Sequence, residues 1–328
     1  VATEIAVPRA SELLARMSGR RVVVIGDVMI DEWIWGRVSR ISPEAPVPVV
    51  AVQDHSFTLG GAGNVASNLR ALGAAVTFVG VVGNDAEGER VRALFAALDC
   101  DTAGLLVLDD RPTTRKTRVV AHNQQVVRAD WESTAPLGAV DRARVVAAVR
   151  HAVAGADAVV LSDYAKGLLH REIVEAALGA PVVVADPKPD NVDLFAGVTC
   201  IAPNVSEAAR ASGIAIVDDR SLERAARSLL DRLGCRYVLV TRGEHGMSLV
   251  GSDGACEHIP SVARTVFDVS GAGDTVVAVL TLALAARVPV ATATRLANFA
   301  AGAVVEKLGT ATASPAEIVA LMEHDAER

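Results

Sequence analysis

The 328-residue chain is 51% apolar, mostly Ala, Val and Leu, with 3% aromatics, which allows a sizeable aliphatic core and excludes wholesale disorder. Its formal net charge of −7 gives no basic face and makes nucleic acid a poor partner. Cys100, Cys200, Cys235 and Cys256 lie far apart without metal spacing, and no apolar run reaches the roughly 20 residues that span a bilayer, so the composition predicts a reduced, soluble cytoplasmic protein with no membrane partner.

Short β-branched runs alternate with longer helical patterns along the chain. Residues 1–20 contain Arg9 and Arg16 but no long apolar run, and predict a short helix over Ser11–Met17, not a signal peptide. Arg21–Ile25 reads as the first buried strand. Glu32 to Thr58 breaks the pattern with Pro43, Pro46 and Pro48 and short extended pieces such as Val47–Val52. A helix over Val65–Leu72, a strand over Ala75–Val82 and a helix over Glu87–Leu98 follow. Arg111 to Asp130 is polar, rich in Thr and Arg, and alternates like a half-exposed strand. With residues 32–58 it makes a candidate lid; two irregular surface loops are the alternative.

Further on, Val140–Val153, Arg171–Leu178 and Leu222–Leu233 read as helices, and Ala158–Leu161, Pro181–Ala185, Thr199–Ala202 and Tyr237–Val240 as strands. Met247–Val250 and Cys256–Ile259, separated by Ser252-Asp253-Gly254, predict an antiparallel hairpin. Helices over Thr275–Ala286 and Thr292–Lys307 follow. Most strands are apolar on both faces, as parallel strands covered by helices are. The expected fold is α/β, a mostly parallel central sheet with helices on both faces and a small β-sheet lid, forming one domain over residues 1–328.

Asp27 and Asp31 stand just past the first strand, where open α/β sheets bind ligands. Carboxylates there accept hydrogen bonds from vicinal sugar hydroxyls, although Asp27 alone also suits a turn cap. Gly60-Gly61-Ala62-Gly63-Asn64 opens a helix, and its glycines let backbone approach a ligand while Asn64 donates to a hydroxyl. A structural turn is the alternative. Gly61 to Ala66 also fits a loose dinucleotide pattern with Asp85 downstream, but Asp54–Thr58 separates it from the strand that pattern needs.

Lys116 and Arg118 share one face of an extended segment, with Gln124 and Arg128 at the same parity if the strand runs on unbulged. Such a face grips a phosphate or guards a sheet edge. Asp163, Asp186 and Lys188 follow strand ends. Asn204-Val-Ser-Glu207 makes a capping box at another strand end, a position that also suits water-mediated contact with a metal–nucleotide. Thr241-Arg-Gly243-Glu-His-Gly246 leaves a further strand end towards the hairpin.

The strongest local signal is Gly271-Ala272-Gly273-Asp274 ahead of a helix apolar nearly all round. A buried helix start aims unpaired N–H groups at an anion, and two glycines let a phosphate come close. Asp274 there is placed to take the proton of an attacking hydroxyl while the amides of Gly271 to Gly273 form an anion hole. An N-cap role is the bland reading, and Ser270 or Asp268 already suits it. Along Thr292–Lys307, Asn298, Ala301, Gly302 and Val305 form a stripe that leaves a purine slot or serves close helix packing.

These pieces in this order resemble the ribokinase/PfkB family of sugar kinases. Gly60 to Ala66, then Gly73 and Gly83, match its first signature, and Asp268 to Asp274 its second, with Ser270 where Thr is frequent. Within the family, the chain is similar to the D-glycero-D-manno-heptose 7-phosphate kinases of ADP-heptose synthesis. That similarity rests on Val24–Asp31, Arg37–Pro48, Lys116-Thr-Arg118, Asn123–Gln125 and Ser162–Gly167. The resemblance implies ATP and Mg2+, phosphorylation of the anomeric hydroxyl for the lipopolysaccharide core, and Asp274 as base. It also implies Asn204 and Glu207 near magnesium, and a homodimer through the lid. Many relatives fuse a nucleotidylyltransferase domain behind the kinase; with no such motif before Arg328, the adenylyl step is expected of another protein. The competing readings are an NAD(P)-dependent oxidoreductase and a non-catalytic sugar-binding protein.

Overall fold

The computed structural model describes residues 7–122, 124–263 and 265–326, so Asn123 of the Asn123–Gln125 motif lies outside the described residues. In chain order, α1 (Val7–Met17) leads to β1 (Arg21–Gly26); β2 (Val28–Ile41) and β3 (Pro48–Gly61) then run out and back to α2 (Ala62–Ala71). After β4 (Ala75–Gly83), α3 (Ala86–Ala97) and β5 (Asp101–Leu108), the chain leaves again through β6 (Thr114–Ala121) and β7 (Gln124–Trp131). It returns through α4 (Ala139–Val153), β8 (Ala158–Ser162), α5 (Arg171–Ala177), β9 (Val183–Asp186) and a 3-10 turn, Pro189–Phe195. Next come β10 (Cys200–Ile201), α6 (Val205–Ser212), α7 (Asp219–Leu233) and β11 (Tyr237–Thr241). The hairpin β12 (Met247–Gly251) and β13 (Cys256–Ile259) precedes α8 (Ala272–Ala285), α9 (Val290–Val305) and α10 (Pro315–Ala326).

The main sheet has nine strands in the order β13-β12-β11-β10-β9-β8-β1-β4-β5, parallel from β11 to β5, with β12 and β13 added antiparallel. The strand pleat sends alternate side chains to opposite layers. In β1, Val22 and Val24 join the layer holding Leu69, Val279 and Leu296, while Val23 and Ile25 join the one holding Val149, Ile173 and Leu229. Phe78 and Phe95, their rings 4.5 Å apart, are wholly buried in the first layer, worth roughly 2–3 kcal/mol each. The hairpin and the buried α8 stand as their sequence patterns predict. β5 has no predicted counterpart: it is an edge strand whose first half, Asp101-Thr102-Ala103-Gly104, is polar or small, so that its apolar run is only Leu105–Leu108.

A second sheet, in the order β3-β2-β6-β7, forms the lid. Residues 32–58 are more regular than their prolines suggest, because Pro43 and Pro46 lie in the connection between β2 and β3 and Pro48 heads β3. Two consequences correct the sequence reading. β3 runs without a break into Gly60-Gly61, so the interruption at Asp54–Thr58 does not exist; the dinucleotide pattern fails because β3 pairs antiparallel with β2 in the lid and is no core strand. The second lid segment does not continue past Ala121. It turns at His122 (φ 52°) and returns as β7, with an irregularity between Val119 and Val120. Arg128 therefore faces Arg118, whereas Gln124 pairs with Ala121, is exposed, and loses the shared parity.

The lid is rooted at two points beside each other. β1 passes into β2 through Asp27, and β3 passes into α2 through Gly61 (φ 58°). A Cβ on Gly61 would lie 2.5 Å from the Asp27 carbonyl oxygen, which accepts the Ala62 N–H at 3.0 Å. Only glycine allows that crossing.

Candidate active site

At the start of α8, Gly271 adopts φ 77°, and a Cβ there would lie 2.4 Å from Asn64 Nδ2. Glycine thus brings α2 and α8 together. Among the described residues no side chain caps α8; the Asp268 carboxylate instead accepts the N–H groups of Ser270 and Gly309, each at 2.9 Å, ahead of the helix. Asp274 is therefore not the helix cap. Its Oδ2 accepts from Asn64 Nδ2 at 2.8 Å and its Oδ1 from the Tyr164 hydroxyl at 2.7 Å. Asn68 holds Asn64 in turn, donating to its carbonyl at 3.0 Å, and Thr275 donates to Asn68 Oδ1 at 3.0 Å. Burial pushes the Asp274 carboxyl up to about 6; the Asn64 and Tyr164 hydrogen bonds pull it down, and Asp31 pushes it up.

In front of Asp274 lies a cavity of about 160 Å3. It brings together Asp186, Lys188, Asn204, Glu207, Thr241, Gly271, Gly273 and Asp274, all singled out from the sequence, and adds Tyr164 and Ala202 to its wall. Among the described residues, the N–H groups of Gly271 and Gly273 have no acceptor. Ala272 drops out of the expected anion hole because its N–H turns back to the Val269 carbonyl at 3.2 Å.

Asn204 and Glu207 form the capping box, with Glu207 N–H to Asn204 Oδ1 at 2.9 Å and Asn204 N–H to Glu207 Oε2 at 3.0 Å. The same Glu207 turns its other oxygen to Lys188 Nζ at 2.5 Å and lines the cavity. Burial works against the Lys188 charge, but Asp186 and Glu207 outweigh it and raise its pKa. The Asp186 carboxylate accepts no hydrogen bond among the described residues, and burial raises its pKa well above the ordinary carboxylate range.

Several expected ligand residues are spent elsewhere. Asp27, placed for a sugar hydroxyl, instead accepts the N–H groups of Tyr164 and Lys166 at 3.0 Å and of Leu168 at 3.4 Å, pinning the loop after β8. Burial pushes this carboxyl up to about 6 against those amides. Asp163 is likewise saturated by Ala165 N–H (2.8 Å), Lys188 N–H (3.0 Å) and Asn191 Nδ2. Buried carboxylates close on whatever backbone donors surround them, and strand-end position alone does not reveal that. Gly246 (φ 81°) is a packing glycine: a Cβ would sit 2.0 Å from the Ile259 carbonyl oxygen. Gly243 starts the 3-10 turn Gly243–His245 and is not in the cavity wall. Asn298 donates to the Pro260 carbonyl at 2.8 Å, and Gly302 packs against Val262 and Leu321, contacts that serve close packing of their stripe.

On the lid side, Asp31 is buried and bonded by Arg118 Nη1 at 2.5 Å. Gly60 leaves it room, since a Cβ there would lie 2.4 Å from Asp31 Oδ2. Arg118 lies over Trp33, whose ring stacks on Trp35 at 5.5 Å. Lys116 reaches Asp130 at 2.9 Å and Glu132 at 3.4 Å, and Glu132 also meets Lys166 at 2.7 Å. Tyr164, Trp33, Asp130 and Glu132 were not expected as site residues. Tyr164 sits one position past Asp163 in the motif 162–167, and only its contact with a helix 110 residues away marks it.

A buried carboxylate beside unpaired glycine amides, facing a lidded cleft at the ends of parallel strands, is the equipment of a kinase acting on a small hydroxylated substrate. Residues 20–317 match the pfkB family carbohydrate kinase profile, and the chain belongs to that family. It is a sugar kinase, and its second substrate is ATP. Among curated relatives, the chain is 46% identical over 320 residues to the "Bifunctional protein HldE" of Trichlorobacter lovleyi, covering 95% of this chain and 65% of that protein. It is 48% identical over 309 residues to the protein of the same name from Pelobacter propionicus, covering 93% and 63%. The chain thus spans slightly less than two thirds of the length of these relatives. The fold also matches Arabidopsis thaliana ribokinase complexed with ribose and ATP (TM-score 0.73, 20% identity, 93% of this chain and 99% of that one). Phosphofructokinase-2 from Escherichia coli matches with a TM-score of 0.79 at 20% identity, over 93% and 99% of the two chains.

Proposed function

We propose that this kinase transfers the γ-phosphoryl group of ATP to the anomeric C1 hydroxyl of D-glycero-D-manno-heptose 7-phosphate. The product is the 1,7-bisphosphate, an intermediate towards ADP-heptose and the lipopolysaccharide core, made in the cytoplasm. The observation that carries the catalytic part is Asp274, buried, held by two donors on separate oxygens, and one residue from the unpaired Gly273 amide. The heptose assignment draws on the HldE relatives and on the lid motifs.

In this reading the sugar lies against Asp31 and Asn64 beneath the lid. Its 7-phosphate exchanges for the carboxylates that now hold Arg118 and Lys116. Asp274 takes the proton of the C1 hydroxyl as that oxygen attacks phosphorus. The N–H groups of Gly271 and Gly273 and the Lys188 ammonium take up charge on the moving phosphoryl group, and the bond to the ADP oxygen breaks in line.

Asp186, without a hydrogen-bond donor, and Glu207 suit a magnesium ion shared with ATP phosphates, because that ion is held by one or two carboxylates plus substrate oxygens. The ion would neutralise phosphate charge. The lid exposes Val52, Val127 and Trp131, which suits a homodimer formed lid to lid.

The reading is tested by ADP release across sugar 7-phosphates, 6-phosphates and free sugars. Turnover of the heptose 7-phosphate well above the others supports it; preference for another phosphosugar moves the substrate, and no turnover at all removes the assignment. Lys116→Ala is expected to raise KM for the phosphosugar roughly tenfold, as loss of a charged contact does, with KM for ATP unchanged. Equal rises in both would show the phosphate misplaced.

A further inference from the structure

We propose that Tyr164 is a positioning residue for Asp274, fixing the plane of its carboxylate and holding it ionised for proton abstraction. The inference rests on the assignment of Asp274 as base.

Tyr164 and Asn64 approach Asp274 from different elements and bond different oxygens, at 2.7 and 2.8 Å. Neither can replace the other, and together they leave the carboxylate one orientation. The loop that delivers Tyr164 is itself fixed. Its Tyr164 and Lys166 N–H groups bond Asp27 Oδ2, its Ala165 N–H bonds Asp163 Oδ1, and Ala165 is held at φ 54°, a left-handed conformation that a non-glycine residue keeps only when its surroundings impose it. Two buried aspartates outside the cavity wall thus brace one short loop, and what that loop presents to Asp274 is a phenol.

The hydroxyl is an obligate donor. Burial, then the charges of Asp274 and Asp186, raise the Tyr164 pKa well above its ordinary value, so its proton stays in place. Around Asp274, Asp31 from β2 opposes ionisation, while Lys188 beyond β9 favours it; Asp186 at the end of β9 is itself raised by the Asp274 charge. Glu207 of α6 faces the same cavity and binds Lys188. Against burial and the Asp31 charge, with the lysine shared with Glu207, a hydrogen bond given to the charged form tips the balance towards the base.

Tyr164→Phe keeps the ring and removes only the donor. The test compares wild type and variant by kcat and both KM values against pH, and by 13C NMR titration of Asp-labelled protein with Asp274→Asn to assign the resonance. The acid limb of kcat is expected to move up by about one pH unit, and the NMR midpoint of Asp274 with it. At pH near 6.5, kcat should fall at least about threefold, with both KM values within about twofold of wild type. A uniform loss of kcat with the limb and midpoint unmoved would reduce Tyr164 to packing and overturn the proposal. The NMR titration needs no sugar: if wild type turns over no phosphosugar, that failure belongs to the functional reading, and the midpoint still decides whether Tyr164 holds Asp274 ionised.

Discussion

Asp274→Asn is expected to lower kcat by about three orders of magnitude, within the range a positioned general base contributes, and to leave KM for ATP within about twofold. The amide keeps the shape of the carboxylate but cannot take a proton, and the Gly271 and Gly273 amides are untouched. Near-normal turnover would remove Asp274 from the chemistry. The same substitution is expected to stabilise the fold at neutral pH. The folded-state pKa of Asp274 is raised from an ordinary 3.8 to about 6, so the folded protein holds this proton more tightly than the unfolded chain. The stability it contributes is fully present below about pH 4 and is lost as pH rises through about 6, at a cost on the order of 2–3 kcal/mol. Melting temperatures should therefore favour Asp274→Asn at pH 7.5, with the gap closing towards pH 4. No gap at pH 7.5 would mean that Asn64 and Tyr164 already offset the buried charge.

Asp27→Ala should be the most damaging change away from the cavity. It leaves the N–H groups of Tyr164, Lys166 and Leu168 without their acceptor, at roughly 1–3 kcal/mol for each buried donor. A total of roughly 3 kcal/mol or more corresponds to a fall in Tm of roughly 5–10 °C for a chain of this size. Because the freed loop carries Tyr164, kcat should fall as well. Asp27→Asn should be milder, since one carboxamide oxygen still accepts. A Tm within about 2 °C of wild type for Asp27→Ala, by thermal unfolding at pH 7.5, would show that water or a shifted loop satisfies those donors.

Legibility in the sequence followed locality. The start of α8 was readable because Gly271, Gly273 and Asp274 act through one helix end, and the sequence spells out that end. The Asn204–Glu207 capping box was readable for the same reason. Arg118 and Lys116 were correctly paired on one face by a period of two. The same counting failed at Gln124, because a turn at His122 is set by hairpin pairing and not by the residues' own spacing. Asp27, Asp31 and Asp163 look alike as aspartates at or near strand ends, yet Asp27 is closed off by backbone donors of the loop after β8 and Asp163 by Ala165 in its own loop together with Lys188 and Asn191, while Asp31 meets a lid arginine.

By itself the sequence determined the alternation of strand and helix, the buried helix behind Asp274 and the two glycine-rich approaches to it. Each of these is carried by side-chain periodicity or by the backbone freedom of glycine, which act over a few residues. Which carboxylates are free to do chemistry was decided only by the tertiary structure. A buried carboxylate's state depends on the donors within about 3 Å of it, and here those donors come from elements more than a hundred residues away in the chain: Tyr164 for Asp274, and the loop 164–168 for Asp27.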